Sequence, residues 1–226
     1  MKLYHYTSLN NFLHIWRTKQ LLFSSAHKVT NNDIYEKRKK IQITGDALSC
    51  NRENVKAFFD CLSDYHQISL NSDYDDGTLG CLSPMMWGQY ADNANGVCLE
   101  LDSKALVLAP LCLWFNKVSY VKEVPLVDID AKLLMNSELH DSFIVNHIND
   151  FFFTKHCHWA MENEYRIISK KIPFLDISNS LVKIHVPTTK GHTTYVVREM
   201  VGDRCPISCI ITTTNNNGLC LRSEAF

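Results

Sequence analysis

From Glu162 onward the chain carries a charge at every second position, Glu162, Glu164 and Arg166. A period of two belongs to an extended strand, so these three side chains are expected on one face and Tyr165 and Ile167 on the other. The surrounding stretch, Thr154 to Ser169, starts as a polar, histidine-rich turn and ends in a short apolar run. It is the densest chemistry in the chain, with two carboxylates and a guanidinium set side by side. A solvent-facing strand with an ion-pair ladder is the ordinary outcome for such a face, because most charged faces are simply wet. A site is the other outcome, and the rest of the chain has to decide between them.

With 226 residues, 46% of them hydrophobic, the chain is long enough to bury a sizeable core, and it is read as one domain over 1–226. A formal net charge of -1 offers no global pull toward nucleic acid or membrane, so such contacts need a local patch. Lys37-Arg38-Lys39-Lys40 is the candidate run; a solvated helix end is its ordinary reading and phosphate contact the alternative. The nine cysteines include no CxxC pair, which fits reduced thiols and a cytoplasmic protein. Neither a signal-peptide core nor the roughly 18 apolar residues of a membrane span is present, so no membrane contact is expected.

Lys2 to Tyr6 reads as an opening strand that presents His5, and Thr7 or Ser8 caps a helix whose apolar stripe is Leu9, Phe12, Leu13 and Trp16. Leu21 to Ser25 is a second strand, followed by the polar loop Thr30 to Glu36. Residues 41–79 read as a variable insertion holding one helix over Val55, Phe58, Phe59 and Leu62. Ser83-Pro84 starts another helix, with Trp87, Tyr90 and Ala91 inside. Val97 to Leu101 is a strand, apolar on both faces apart from Glu100, and Lys117 to Val121 is another. Ile129 to Phe152 is helical, while Leu181 to Val186, Thr194 to Arg198, Ile207 to Thr213 and Leu219 to Leu221 are strands, the last two joined at Asn215-Asn216-Asn217-Gly218. The class is α+β, with helices concentrated in the first two thirds.

GxSxG, GxxxxGKS/T and GxGxxG are all missing, which removes positional support for serine-hydrolase, P-loop and Rossmann chemistry. His156-Cys157-His158 looks like a ligand cluster. On a strand, however, alternate residues diverge from the middle one, and no second cluster at zinc spacing accompanies it, so no metal is expected.

Five motifs in order carry a resemblance: Tyr4-His5-Tyr6-Thr7-Ser8; Asn32-Asp33 with Glu36; Met86 to Asp92; Gly96 to Glu100; and Lys155, Trp159, Glu162, Glu164 and Arg166. As a set they resemble a bacterial family of unassigned activity, over roughly Leu3 to Arg204. The chain departs from that family's pattern at Ile34-Tyr35, where a proline and a phenylalanine are usual. The family in turn looks like a remote branch of the ADP-ribosyltransferase fold, which implies a split β-sheet core and NAD as co-substrate.

What the resemblance implies for single residues follows from that chemistry. Cleaving the nicotinamide bond builds oxocarbenium character on the ribose, which a nearby carboxylate stabilises. Glu164 takes that role, Glu162 sits beside it, and the two can exchange. His5, supported by Thr7 or Ser8, would orient the ribose; a histidine that only satisfies a core hydrogen bond is its plain alternative. Tyr35, Tyr90 and Trp87 are candidates to stack on nicotinamide, core packing being the ordinary role of Trp87. Arg166 or Lys155 would clamp the pyrophosphate, and Asn32 and Asp33 would shape the loop over the cofactor or contact the acceptor. The opening motif also looks like toxins of this superfamily that modify nucleic-acid bases. It thus implies an RNA or DNA acceptor gripped by Lys37 and Arg38, with an antitoxin or inhibitor protein as partner in a toxin–antitoxin or anti-phage system. NAD hydrolysis, protein modification, or a catalytically inactive binding module are the alternatives.

Overall fold

The computed structural model describes residues 1–25, 41–46, 50–106, 113–170, 172–188, 191–215 and 218–225. In chain order, β1 (Lys2–Thr7) leads to α1 (Leu9–Thr18), β2 (Gln20–Leu22), β3 (Ser24–Ser25), β4 (Ile41–Thr44), α2 (Arg52–Ser63) and β5 (Tyr65–Ser72). There follow α3 (Pro84–Tyr90), β6 (Val97–Asp102), β7 (Leu113–Lys117), β8 (Ser119–Val121), β9 (Val127–Asp130) and α4 (Ala131–Leu134). Next come α5 (His140–Asn146), α6 (Ile148–Phe152), β10 (Thr154–His156), β11 (Glu164–Lys170) and β12 (Phe174–Asp176). The chain closes with β13 (Leu181–Pro187), α7 (Gly191–Val201), β14 (Ile207–Asn215) and β15 (Gly218–Ala225). The fold is α+β, and the chain divides into two compact units.

The first unit comprises Met1–Leu21, Ser69–Leu108 and Phe174–Phe226. Its sheet runs β15-β14-β13-β6-β1 and ends on the last residues of β5, which meet β1 at Leu3↔Ser72 and Tyr4↔Asn71. The β13–β14 pair is parallel and the other described pairs are antiparallel, so the sheet is mixed. One face is covered by α3, where Tyr4, Tyr6, Cys98 and Ile210 pack against Met86, Trp87 and Ala91. Trp87 is buried, meets Tyr6 edge to face and donates its indole N–H to the Cys81 carbonyl at 2.8 Å, so its role is packing. Both helix starts follow the expected capping: Ser8 accepts from the Asn11 N–H, and Ser83 from the Met86 N–H with Pro84 at the first position.

The second unit comprises Leu22–Ile68 and Ala109–Pro173. Here β5, β11 and β7 follow one another, and two small parallel pairs, β8–β10 and β4–β9, lie beside them. Its core gathers Phe58 and Leu62 of α2, Tyr65, Ile144, Ile148, Phe151, Phe152 and Ile168. The predicted helical spacing of Ile144, Ile148, Phe151 and Phe152 is the buried stripe, although α4, α5 and α6 replace one continuous helix.

Several sequence expectations need correction. Residues 41–79, read as an insertion, supply β5, a buried strand of the sheet. Leu21 to Ser25 forms two short strands instead of one, and Lys117 to Val121 breaks at Val118. While α1 to α6 are gathered between Leu9 and Phe152 as expected, Thr194 to Arg198, expected as a strand, lies inside α7. β-branched composition suggested a strand there, whereas the buried Thr194, Val197 and Val201 stand at i, i+3 and i+7, the helical period. Packing of that stripe against β13 decides the outcome.

Candidate active site

Four charged side chains are buried together in the second unit. Lys155, Glu162, Glu164 and Arg166 are 6%, 2%, 5% and 1% exposed, which rules out the solvent-facing ladder. Lys155 Nζ donates to Glu162 Oε2 at 2.5 Å and lies 3.4 Å from Glu164 Oε2. Arg166 grips Glu164 with a two-pronged fork, Nε to Oε1 at 2.7 Å and Nη2 to Oε2 at 3.0 Å, and gives Nη1 to the Phe152 carbonyl at 2.6 Å. Two cations face two anions, so the formal charge of the group is zero, the condition under which burial is tolerable. The N–H of Glu164 donates to the Tyr120 hydroxyl at 2.9 Å. Burial, and then the Glu164 charge, push the Tyr120 phenol well above its ordinary range and keep it neutral.

Local geometry builds this cluster by a turn and not by one strand. β10 ends at His156, a 3-10 turn spans Cys157–Glu162, and Asn163 adopts a left-handed φ of 44° before β11 begins at Glu164. Asparagine tolerates that conformation better than a β-branched or bulky residue would. The period-two expectation therefore holds for Glu164 and Arg166, whereas Glu162 comes to the same ammonium group from the turn. Arg166, expected to clamp a pyrophosphate, clamps Glu164 instead. Lys155 faces the two glutamates and lies 5.0 Å from the centre of the Trp159 ring.

His5, Thr7, Ser8 and Tyr90 belong to the first unit. His5 Nδ1 lies 3.4 Å from the Ser69 carbonyl, and burial of the ring lowers its pKa, so it is neutral at pH 7. Thr7 is buried at the end of β1, and Tyr90 is exposed at the end of α3. Ser8 lines a cleft of about 480 Å³ together with Asn10, Asp92, Asn95, His192 and Thr193. The starts of α1 and α7 both border this cleft. Its wall is fixed by an unusual run, Asp92, Asn93 and Ala94, all at positive φ, and by the Thr193 hydroxyl donating to the Asn95 carbonyl at 2.6 Å. Asn32, Asp33, Tyr35, Lys37 and Arg38 lie outside the described residues.

A second polar chain in the first unit was not anticipated. Lys2 Nζ meets Glu100 Oε1 at 2.8 Å, Glu100 Oε2 meets His185 Nε2 at 2.9 Å, and His185 Nδ1 meets Ser208 Oγ at 2.6 Å. Ser223 then donates to Ser208 at 3.0 Å. The signal was Glu100 itself, because a carboxylate inside an apolar strand demands partners. The His185 hydrogen bond, helped by Lys2 and opposed by burial, holds the Glu100 carboxyl down at about 2. Burial lowers the His185 pKa despite Glu100. Both folded-state values lie below the unfolded ones, so each group stabilises the fold at high pH and loses that contribution as pH falls. The thermal midpoint is expected to start falling below the ordinary histidine value of 6.5 and to fall further as pH drops below 4.5 toward 2. Calorimetry of wild type and His185→Gln checks this, since the variant should show a shallower first decline, with His5, whose pKa is also lowered by burial, supplying the remainder.

Among the described residues no helix is long and apolar enough to cross a membrane. No curated protein and no solved structure significantly matches the chain. Residues 86–167 match the model of a family described as a protein of unknown function, DUF2971. The match covers less than half of the chain, and it takes in the Asp92–Asn95 wall of the cleft and the whole Lys155–Glu162–Glu164–Arg166 cluster.

Proposed function

We propose that the chain is an NAD-dependent ADP-ribosyltransferase in which Glu164 and Glu162 stabilise the oxocarbenium-like ribose and a nucleic acid is the acceptor. The observation that carries this reading is the convergence of the two carboxylates on one ammonium group, with Arg166 fixing the plane of Glu164. A carboxylate held rigidly in a largely dry setting stabilises developing positive charge without having to reorganise. The Lys155 leg to Glu164, at 3.4 Å, is longer than either prong of the Arg166 fork, and it is the contact a ribose would displace. When the nicotinamide bond breaks, its electron pair leaves with neutral nicotinamide, and an acceptor nucleophile takes the ribose carbon and gives up a proton.

Neutral His5 can hydrogen-bond a ligand hydroxyl on the first unit without adding charge. The cleft beside Ser8 has the size of an ordinary small-ligand site, and helix starts of the kind bordering it favour phosphate groups. The opening Tyr4-His5-Tyr6-Thr7 motif resembles base-modifying toxins, which supports an RNA or DNA acceptor and an inhibitory protein partner.

Incubating the protein with NAD labelled in its adenine moiety, alone and with total RNA, sheared DNA or cell lysate, tests the reading. Label is expected on RNA or DNA, with nicotinamide released in step. Release without an acceptor would turn the assignment to NAD hydrolysis, label on protein to protein modification, and neither release nor label in any mixture would sink it.

A further inference from the structure

We propose that His156, Cys157 and His158 form a binding site for a divalent transition metal of the zinc class, with three protein ligands and an open fourth position. On a strand these side chains would diverge, but the strand stops at His156, and from Cys157 the chain coils into the 3-10 turn. The three side chains leave the backbone at the junction of strand and turn, where the alternation of a strand no longer sets their directions. One ligand atom from each residue then lies within 4.8 Å of the other two, and the imidazole centres are 4.3 Å apart. In a tetrahedral site built from zinc–sulfur and zinc–nitrogen bonds, ligand atoms stand about 3.3 to 3.8 Å apart. Rotation about the side-chain torsions closes the remaining ångström.

The surroundings suit an ion that enters from solvent. His156 and Cys157 are half-buried and His158 is exposed, so a hydrated metal can reach all three. His156 Nδ1 accepts the His158 N–H at 3.3 Å, a long bond that a metal at that nitrogen would replace and a metal at Nε2 would leave in part. Lys155, the preceding residue, turns its ammonium to Glu162 at 2.5 Å, so its charge is balanced and does not repel the ion. One thiolate and two imidazoles match zinc better than magnesium or calcium, which prefer oxygen ligands. On binding, the Cys157 thiol gives its proton to solvent and its sulfur lone pair to the metal, while both imidazoles bind as neutral donors. The fourth position is left for water or an anionic ligand, the arrangement of reactive rather than purely structural zinc sites.

Cobalt(II) titration of metal-free protein, followed by zinc competition, decides the matter without reference to NAD chemistry. One equivalent of cobalt should give a thiolate-to-cobalt charge-transfer band that zinc abolishes. Cys157→Ser should lose the band, and His158→Asn, at an exposed position, should weaken zinc binding about tenfold or more while melting like metal-free wild type. A missing band in wild type, a band that persists in Cys157→Ser, or unchanged zinc affinity in His158→Asn would overturn the assignment.

Discussion

Arg166→Met is expected to lower the unfolding free energy by about 3 to 5 kcal/mol, because it removes the two-pronged fork that balances the charge of buried Glu164. The Phe152 carbonyl also loses its 2.6 Å donor. Removing both members of the fork is expected to be far milder: in Glu164→Leu/Arg166→Met the second charge goes with the first, and hydrophobic replacement of a buried pair is often close to neutral. Lys155 keeps Glu162 as its partner. Denaturant melts of the single and double variants, read as a coupling energy, measure this. The same double variant separates structure from catalysis. If Glu164 stabilises a ribose cation, nicotinamide release should fall on the order of 100-fold in a protein that still folds. A folded double variant with wild-type turnover would show that the cluster only holds the second unit together.

Gly96→Ala is expected to cost about 3 kcal/mol or to prevent folding, for a reason that has nothing to do with charge. A Cβ at this position would lie 2.0 Å from the Thr7 carbonyl oxygen and 3.0 Å from that of Ala91. Thr7 cannot retreat, since it is paired with Val97 at the end of the β1–β6 ladder, and the Gly96 N–H donates to the Ala91 carbonyl at 2.8 Å. The strain falls on backbone, which has no rotamer to change. Gly88→Ala is the control. It lies exposed within α3 with nothing within 4 Å of a new Cβ, so it should gain about 0.5 to 1 kcal/mol from the better helix former. Equal midpoints for the two variants would contradict the close-approach argument.

Much of the local structure could be read from the residues. Ser8 and Ser83 announce their helices, and the stripe from Ile144 to Phe152 is the stripe that is buried. The alternation of Glu164 and Arg166 marks β11, and Gly218 pairs with Asn215 to close the β14–β15 ladder as the asparagine–glycine run suggested. Where reading failed, two local signals competed. At α7, β-branched composition argued for a strand against a helical spacing that tertiary packing then rewarded. At His156 to Glu162, a period-two pattern ran two residues too far back, because nothing in the composition reveals that Asn163 takes a left-handed turn.

The sequence by itself determined which residues could carry chemistry and, through capping and periodicity, most of the helices and strands that hold them. The tertiary structure alone decided their partners. Glu162, Glu164 and Arg166 read as a wet charged face until burial and a balancing lysine from β10 made them a neutral cluster. Glu100 found its histidine 85 residues away on a neighbouring strand. Capping and periodicity act over a few residues and are written locally. Whether a charge is solvated or paired depends on what the fold brings within a few ångströms of it, and sequence separation does not record that distance.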